Sequence, residues 1–188
     1  MALLHQATVT PSKLELVRDW LPSQPWYLGE QGADLAPVAA YRFDDPDGEV
    51  GVETILTAAP DGAVFQVPVT YRGAPLDGGE AWLIGTMQHS VLGARWVYDG
   101  LGDPVYLAAV AHAVRTGGRQ AELLIEIDGQ LVTREPTASV KGSGANIEGD
   151  ARVELVRYPS AAEPHADAEL TGTWGDLGDD RVLVRLTR

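Results

Sequence analysis

Apolar residues recur at helical spacing near the N-terminus and then alternate with polar ones through much of the chain. Leu14, Val17, Trp20 and Leu21 fall on one stripe of a helix. Thr10 is placed to cap that helix, Pro11 suits its first turn, Glu15 complements its dipole and Pro22 stops it. Strand patterns over 37–43 and 49–57 flank the turn-rich Asp44-Asp45-Pro46-Asp47-Gly48. Residues 63–72 alternate, with Phe65, Val67, Val69 and Tyr71 on the apolar face, and Pro68 fits an edge or a bulge. A further strand is expected over 81–89. The first half therefore reads as a helix followed by an antiparallel meander of about four strands.

Trp96-Val97-Tyr98-Asp99-Gly100 is a short aromatic segment ahead of a second helix, with Asp103 as N-cap and Pro104 at the first helical position. Leu107, Val110, Ala111 and Val114 give its buried stripe, and Gly117-Gly118 ends it. Segments 121–127 and 130–134 bracket Asp128-Gly129, a strong hairpin signal. Residues 136–150 read as a small, polar, glycine-containing loop and 151–157 as a strand. Helical character is expected near 167–170, a turn over 174–180 and a terminal strand over 181–186. The change in character places a boundary near Arg119, dividing the chain into 1–119 and 120–188.

Composition narrows the function classes. The chain has 188 residues, 45% of them apolar, enough for a real core. Its net charge of -13 argues against nucleic acid and anionic membranes as partners. There is no cysteine, which excludes a disulfide scaffold, a thiolate metal site and a cysteine nucleophile. No signal peptide or membrane span is evident, so a cytoplasmic location is expected.

Candidate chemistry is sparse. The histidines His5, His89, His112 and His165 are scattered without ligand spacing, and no metal site is expected. Asp44 to Gly48 lacks the ligand pattern of a calcium loop and reads as a solvated turn. No G-x-S-x-G elbow is present, and no catalytic residue is assigned. Lys141-Gly142-Ser143-Gly144-Ala145-Asn146 could offer backbone N–H groups to a phosphate, which makes Ser143, Gly144 and Asn146 a degenerate phosphate-loop candidate; a plain surface loop is the simpler reading. Trp26, Tyr27, Trp96 and Tyr98 belong to an aromatic set that could stack on sugar rings, with core packing as the simpler reading.

One dense stretch carries a resemblance. Trp20-Leu21-Pro22-Ser23-Gln24-Pro25-Trp26-Tyr27-Leu28-Gly29-Glu30 resembles the W-L-P-x-Q-R-W-F-x-G-K pattern of the N-terminal cap of actinobacterial maltokinases. Val64 to Arg72 is similar to that family's Y-Q-V-P-L-x-Y-R strand. Leu83-Ile84-Gly85-Thr86, Val97-Tyr98-Asp99-Gly100 and Asp103-Pro104 resemble its later signatures, in the same order. The resemblance implies an α+β fold: a curved antiparallel sheet with flanking helices, followed by a smaller β-rich, kinase N-lobe-like intermediate subdomain.

The resemblance also implies departures. Pro25 and Glu30 stand at two basic positions of the cap pattern. Glu154 stands where an L-K-V-F-R strand would carry its nucleotide-contacting lysine, and Glu169 falls where the partner glutamate of that lysine would lie, now without it. No H-x-D or D-F-G-like motif is present, and no kinase C-lobe fits before Arg188. The expectation is a non-catalytic, regulatory or interaction module near maltose, trehalose or glucan metabolism, with no cofactor. Its partner would be a kinase-like or glucan-metabolism enzyme. A carbohydrate-binding module or a degenerate nucleotide-binding lobe is the alternative.

Overall fold

The computed structural model describes residues 2–4, 8–127, 130–145, 147, 151–161 and 168–188. The chain runs β1 (Ala2–Leu4), β2 (Val9–Thr10), α1 (Lys13–Trp20), β3 (Ala36–Phe43), β4 (Gly51–Ala58), β5 (Val64–Arg72), β6 (Leu83–His89), β7 (Gly93–Asp99) and α2 (Pro104–Thr116). It continues through β8 (Leu123–Ile127), β9 (Gln130–Arg134), β10 (Ala138–Gly142), β11 (Arg152–Ala161), β12 (Glu169–Trp174) and β13 (Arg181–Thr187). The expected α+β class with a curved antiparallel sheet and flanking helices is what the structure has.

The main sheet has six strands in the order β2-β6-β7-β5-β4-β3, all antiparallel. It is not the simple meander expected from the pattern. β3, β4 and β5 follow one another, but β7 inserts between β5 and β6. The aromatic segment at Trp96 is the second half of β7 rather than a separate piece. Pro68 lies just beyond the stretch of β5 paired to β7 (Val69–Arg72), where β5 has a partner only on the β4 side. The free edge of β3 is covered by Thr137, whose hydroxyl accepts from Ala40 N and donates to Ala40 O.

β5 is buried on both faces, not on one. The reason is that layers pack on both sides of the sheet. On one side Phe65, Val67, Val69 and Val97 form a core with Val17 and Leu21 of the α1 segment. Gly85 makes this approach close: a Cβ there would come 2.8 Å from Leu16. On the other side Tyr41, Val52 and Leu56 share a core with Tyr106 and Val110 of α2 and with Leu170, Leu183 and Val184 of a second sheet. That sheet has the order β10-β12-β13-β11 and is antiparallel throughout. β1, β8 and β9 form a third, three-stranded sheet.

Local signals at the helix ends were mostly sound. Asp103 caps α2 and Gly117 ends it at φ 71°. For α1, however, the cap is Ser12, not Thr10, which belongs to β2. Ser12 N donates to Glu15 Oε2 at 2.7 Å while Ser12 Oγ accepts from Glu15 N at 3.3 Å, a reciprocal capping box. The segment 136–150 contains a strand, β10, and the helical character expected near 167–170 gives way to β12 from Glu169 onward. Both strands alternate apolar or small residues with polar ones, carry glycine at Gly142 and Gly172, and pair with one another over five positions. The hairpin turn Asp128-Gly129 lies outside the described residues; the strands it would join, β8 and β9, pair antiparallel.

Candidate functional site

Three of the signature words of the sequence, through Trp26, Gln66 and Asp99, reach β11 at the seam between the two larger sheets. β11 carries an irregularity against β13: Leu155 pairs with Val184 and Ser160 with Val182, so residues 156–159 face Leu183 alone. The bulge turns this segment toward β5. Gln66, fully buried, donates through Nε2 to Val156 O and Leu183 O at 2.7 Å each and accepts from the Tyr41 hydroxyl at 3.1 Å. One side-chain amide thus satisfies carbonyls that the broken ladder leaves open.

Arg157 and Tyr158 project from the same bulge into the core beneath α1. The Arg157 guanidinium lies 4.1 Å from the Trp26 ring centroid and donates to Asp99 Oδ2 at 2.5 Å. Its Nη1 is buried and finds no hydrogen-bond partner among the described residues. The Trp26 ring also lies 6.0 Å from Trp20, 6.4 Å from Tyr27 and 6.3 Å from Phe65, centroid to centroid. The Tyr158 ring meets Phe65 at 5.9 Å, and its hydroxyl accepts from Leu28 N at 3.1 Å.

A second ion pair lies on the opposite face of the main sheet. Asp103 has no exposed surface and accepts from Arg72 through both oxygens at 2.7 Å, from Thr70 Oγ1 at 2.7 Å and from Val105 N at 3.0 Å. Burial pushes its carboxyl up, but the Arg72, Thr70 and Val105 hydrogen bonds outweigh it and hold it below the usual aspartate range. Nearby, Thr54 Oγ1 and the Tyr106 hydroxyl are 2.9 Å apart. Burial raises the Tyr106 phenol far above its ordinary value, so it stays protonated.

The four aromatic residues considered for sugar stacking do not share a surface. Val97 and Val69 lie on the α1 face of the sheet with Trp26 and Tyr27 against them. Trp96 and Tyr98, one position out of phase on β7, point to the other face. Tyr98 is buried, and its hydroxyl accepts from Leu76 N at 2.9 Å. Trp96 is half-buried.

The glycine-containing segment at 141–146 has a structural task. Gly142 N donates to Gly118 O, Ser143 N to Glu169 O and Gly144 N to Val114 O, all within 2.8–2.9 Å. Ala145 N meets Ser143 Oγ at 3.4 Å. The backbone donors that a phosphate would need are directed into the fold, and Gly144 serves a carbonyl at the C-terminus of α2. The close approach needs glycine: a Cβ on Gly142 would lie 2.0 Å from Ala113 O. Asn146 lies outside the described residues.

Glu154 is exposed on β11. Glu169 is not partnerless, as the sequence suggested: Arg185 Nε donates to its Oε1 at 2.9 Å. Arg185 stands in register with Glu154 on one side and Glu169 on the other, so the central strand β13 supplies the cation. Sequence reasoning missed Arg185, Arg157 and Gln66; Glu169 lies 16 positions from Arg185, Asp99 lies 58 from Arg157, and Val156 lies 90 from Gln66, and no short motif links them.

Among the described residues no helix is long and apolar enough to cross a membrane. The model of one known family, the maltokinase N-terminal cap domain, matches residues 20–103. This stretch holds Trp26, Gln66, Arg72, Asp99 and Asp103, and the resemblance read from the sequence words is thereby shown. No curated protein matches the chain.

Proposed function

We propose, from the resemblance of residues 20–103 to the maltokinase N-terminal cap domain, that the chain is a non-catalytic, cap-like module. It would act in the cytoplasm by contact with a kinase-like or glucan-metabolism enzyme. Residues 1–119 would form its cap-like part and 120–188 a degenerate, N-lobe-like part. The observation that carries the reading is the inward use of the donors at 142–144, which bond to Gly118 O, Glu169 O and, at the end of α2, Val114 O. Glu154 and the Glu169–Arg185 pair support it. A carboxylate on β11 repels a phosphate, and the cation that would attract one is held by Glu169.

The aromatic alternative is less well supported. A sugar stacking on Trp26 would have to share that ring with Arg157, Trp20 and Phe65. Calorimetric titration with ATP, with and without Mg²⁺, tests the main reading. No saturable heat is expected; saturable, Mg²⁺-dependent binding would overturn it.

A further inference from the structure

Among the described residues, the sheet edges of this fold are closed in one way or another, with one exception. β3 carries Pro37, a register shift between Pro37 and Ala39, and the Thr137 cover. β2 is two residues long and β1 three. On β10, Val140 N donates to Gln120 Oε1 at 2.9 Å and Lys141 is bridged to Arg119. β11 is broken by its bulge, where Gln66 takes the Val156 carbonyl. The exception is β9, the outer strand of the three-stranded sheet. Its pairing to β8 runs through five positions without a shift. All five of its residues are exposed, and it contains no proline or lysine. An open, regular edge of this kind is a template for another strand.

The register fixes which groups that edge presents. Ile127 and Gln130 pair with two residues between them, and in such a hairpin the closing pair exchanges backbone hydrogen bonds. Bonding to β8 therefore falls to Gln130, Val132 and Arg134, while Leu131 and Thr133 turn their N–H and C=O groups outward. A second β9, antiparallel and centred on Val132, is self-complementary to this edge. Leu131 then faces Thr133 of the other copy in two pairs that each exchange both backbone bonds. Val132 faces Val132, and Gln130 faces Arg134, so no like charges oppose. The net charge of -13 makes two copies repel over most of their surface, whereas β9 holds one charged residue, Arg134, and no carboxylate. The Leu131 and Val132 side chains, 59% and 43% exposed on opposite faces of the strand, both gain cover.

We infer that β9 pairs with the β9 of a second copy, antiparallel and about a two-fold axis at Val132, so that two three-stranded sheets become one. A five-residue edge is about 17 Å long, and its pairing buries less than the roughly 1,200 Å² at which stable interfaces begin. The dimer is therefore concentration-dependent, with a dissociation constant on the order of 0.1 mM. The inference does not rest on the cap-like reading.

Sedimentation equilibrium of the full chain from about 5 μM to about 1 mM tests it, with a monomer–dimer equilibrium expected. Leu131→Pro removes an outward N–H that the monomer does not use; it should leave the circular dichroism spectrum unchanged and weaken the dimer about ten-fold or more. Val132→Lys sets two ammonium groups face to face at the axis and should weaken it similarly, which keeps the test decisive if the proline variant misfolds. Gln130→Glu places a carboxylate opposite Arg134 at both ends of the pairing and should tighten the dimer about two-fold or more, a gain that this register alone provides. A chain that stays monomeric up to about 1 mM, including one that pairs instead with a strand of another protein, overturns the inference. So does a dimer that Val132→Lys leaves intact or that Gln130→Glu fails to tighten.

Discussion

Replacing Asp103 by asparagine keeps an oxygen to cap α2 and removes the counter-charge of Arg72, which is mostly buried beside it. Leaving that guanidinium uncompensated should cost about 3 kcal/mol at pH 7. The wild-type carboxyl sits below its ordinary range, so its stabilisation is present above the unfolded value of about 4 and is lost as pH falls through the folded one. Glu53 adds to this in the same direction. Burial raises its carboxyl, but Lys13, Arg42 and the Tyr71 hydroxyl bring it below the usual glutamate value. Urea unfolding of Asp103→Asn and wild type at pH 7 and pH 3.5 checks the point. The gap between the two proteins should narrow at the lower pH, and an equal gap at both would remove the ionised carboxylate from the account.

The bulge in β11 is the element on which the seam depends, and Gln66 is what fills it. Gln66→Met keeps most of the side-chain volume and removes both donors. Two carbonyls, of Val156 and Leu183, are then left buried without their amide, and a loss of about 3 kcal/mol is expected from equilibrium unfolding. A loss below about 0.5 kcal/mol would mean that the bulge finds other donors at little cost. Elements of this kind set the limit of what the sequence conveys. The cap of α2, its glycine stop and the β8–β9 hairpin were legible because each depends on residues within a few positions of one another. β10 and β12 were not, because the alternation in Ala138–Gly142 and Glu169–Trp174 is short and includes glycine, which reads as loop, and the strands are held by pairing and, for β10, close contact with α2. The place of β7 between β5 and β6 was hidden for the same reason: strand order is decided by packing, not by alternation. Of the candidate sites, the aromatic words were visible as words. Their use as a clamp was not, since Arg157 carries no local signal that it belongs with Trp26 and Asp99.

Across the whole molecule, the stretch resembling a maltokinase cap and the strands that follow it share one core and one polar seam. Gln66 reaches from the cap-like sheet into the second sheet, and Arg157 reaches back to Asp99 and Trp26. The stretch that resembles the cap thus has a mechanical meaning in this chain: Trp26 and Asp99 receive a cation, Arg157, from β11. This accounts for the density of aromatic residues over Trp20–Tyr27. It closes one face of the main sheet over Phe65 and stacks on the guanidinium that joins the two layers.

That claim is tested most directly by amide hydrogen exchange of wild type and Arg157→Ala, followed strand by strand. If the seam makes the sheets one cooperative unit, the slowest amides of β5 and of β13 will lose protection together and by the same free energy, since removing one partner of a mostly buried pair costs about 3 kcal/mol. Protection lost in β11 and β13 while β5 and β7 keep theirs would contradict the account and leave the cap-like sheet folding on its own.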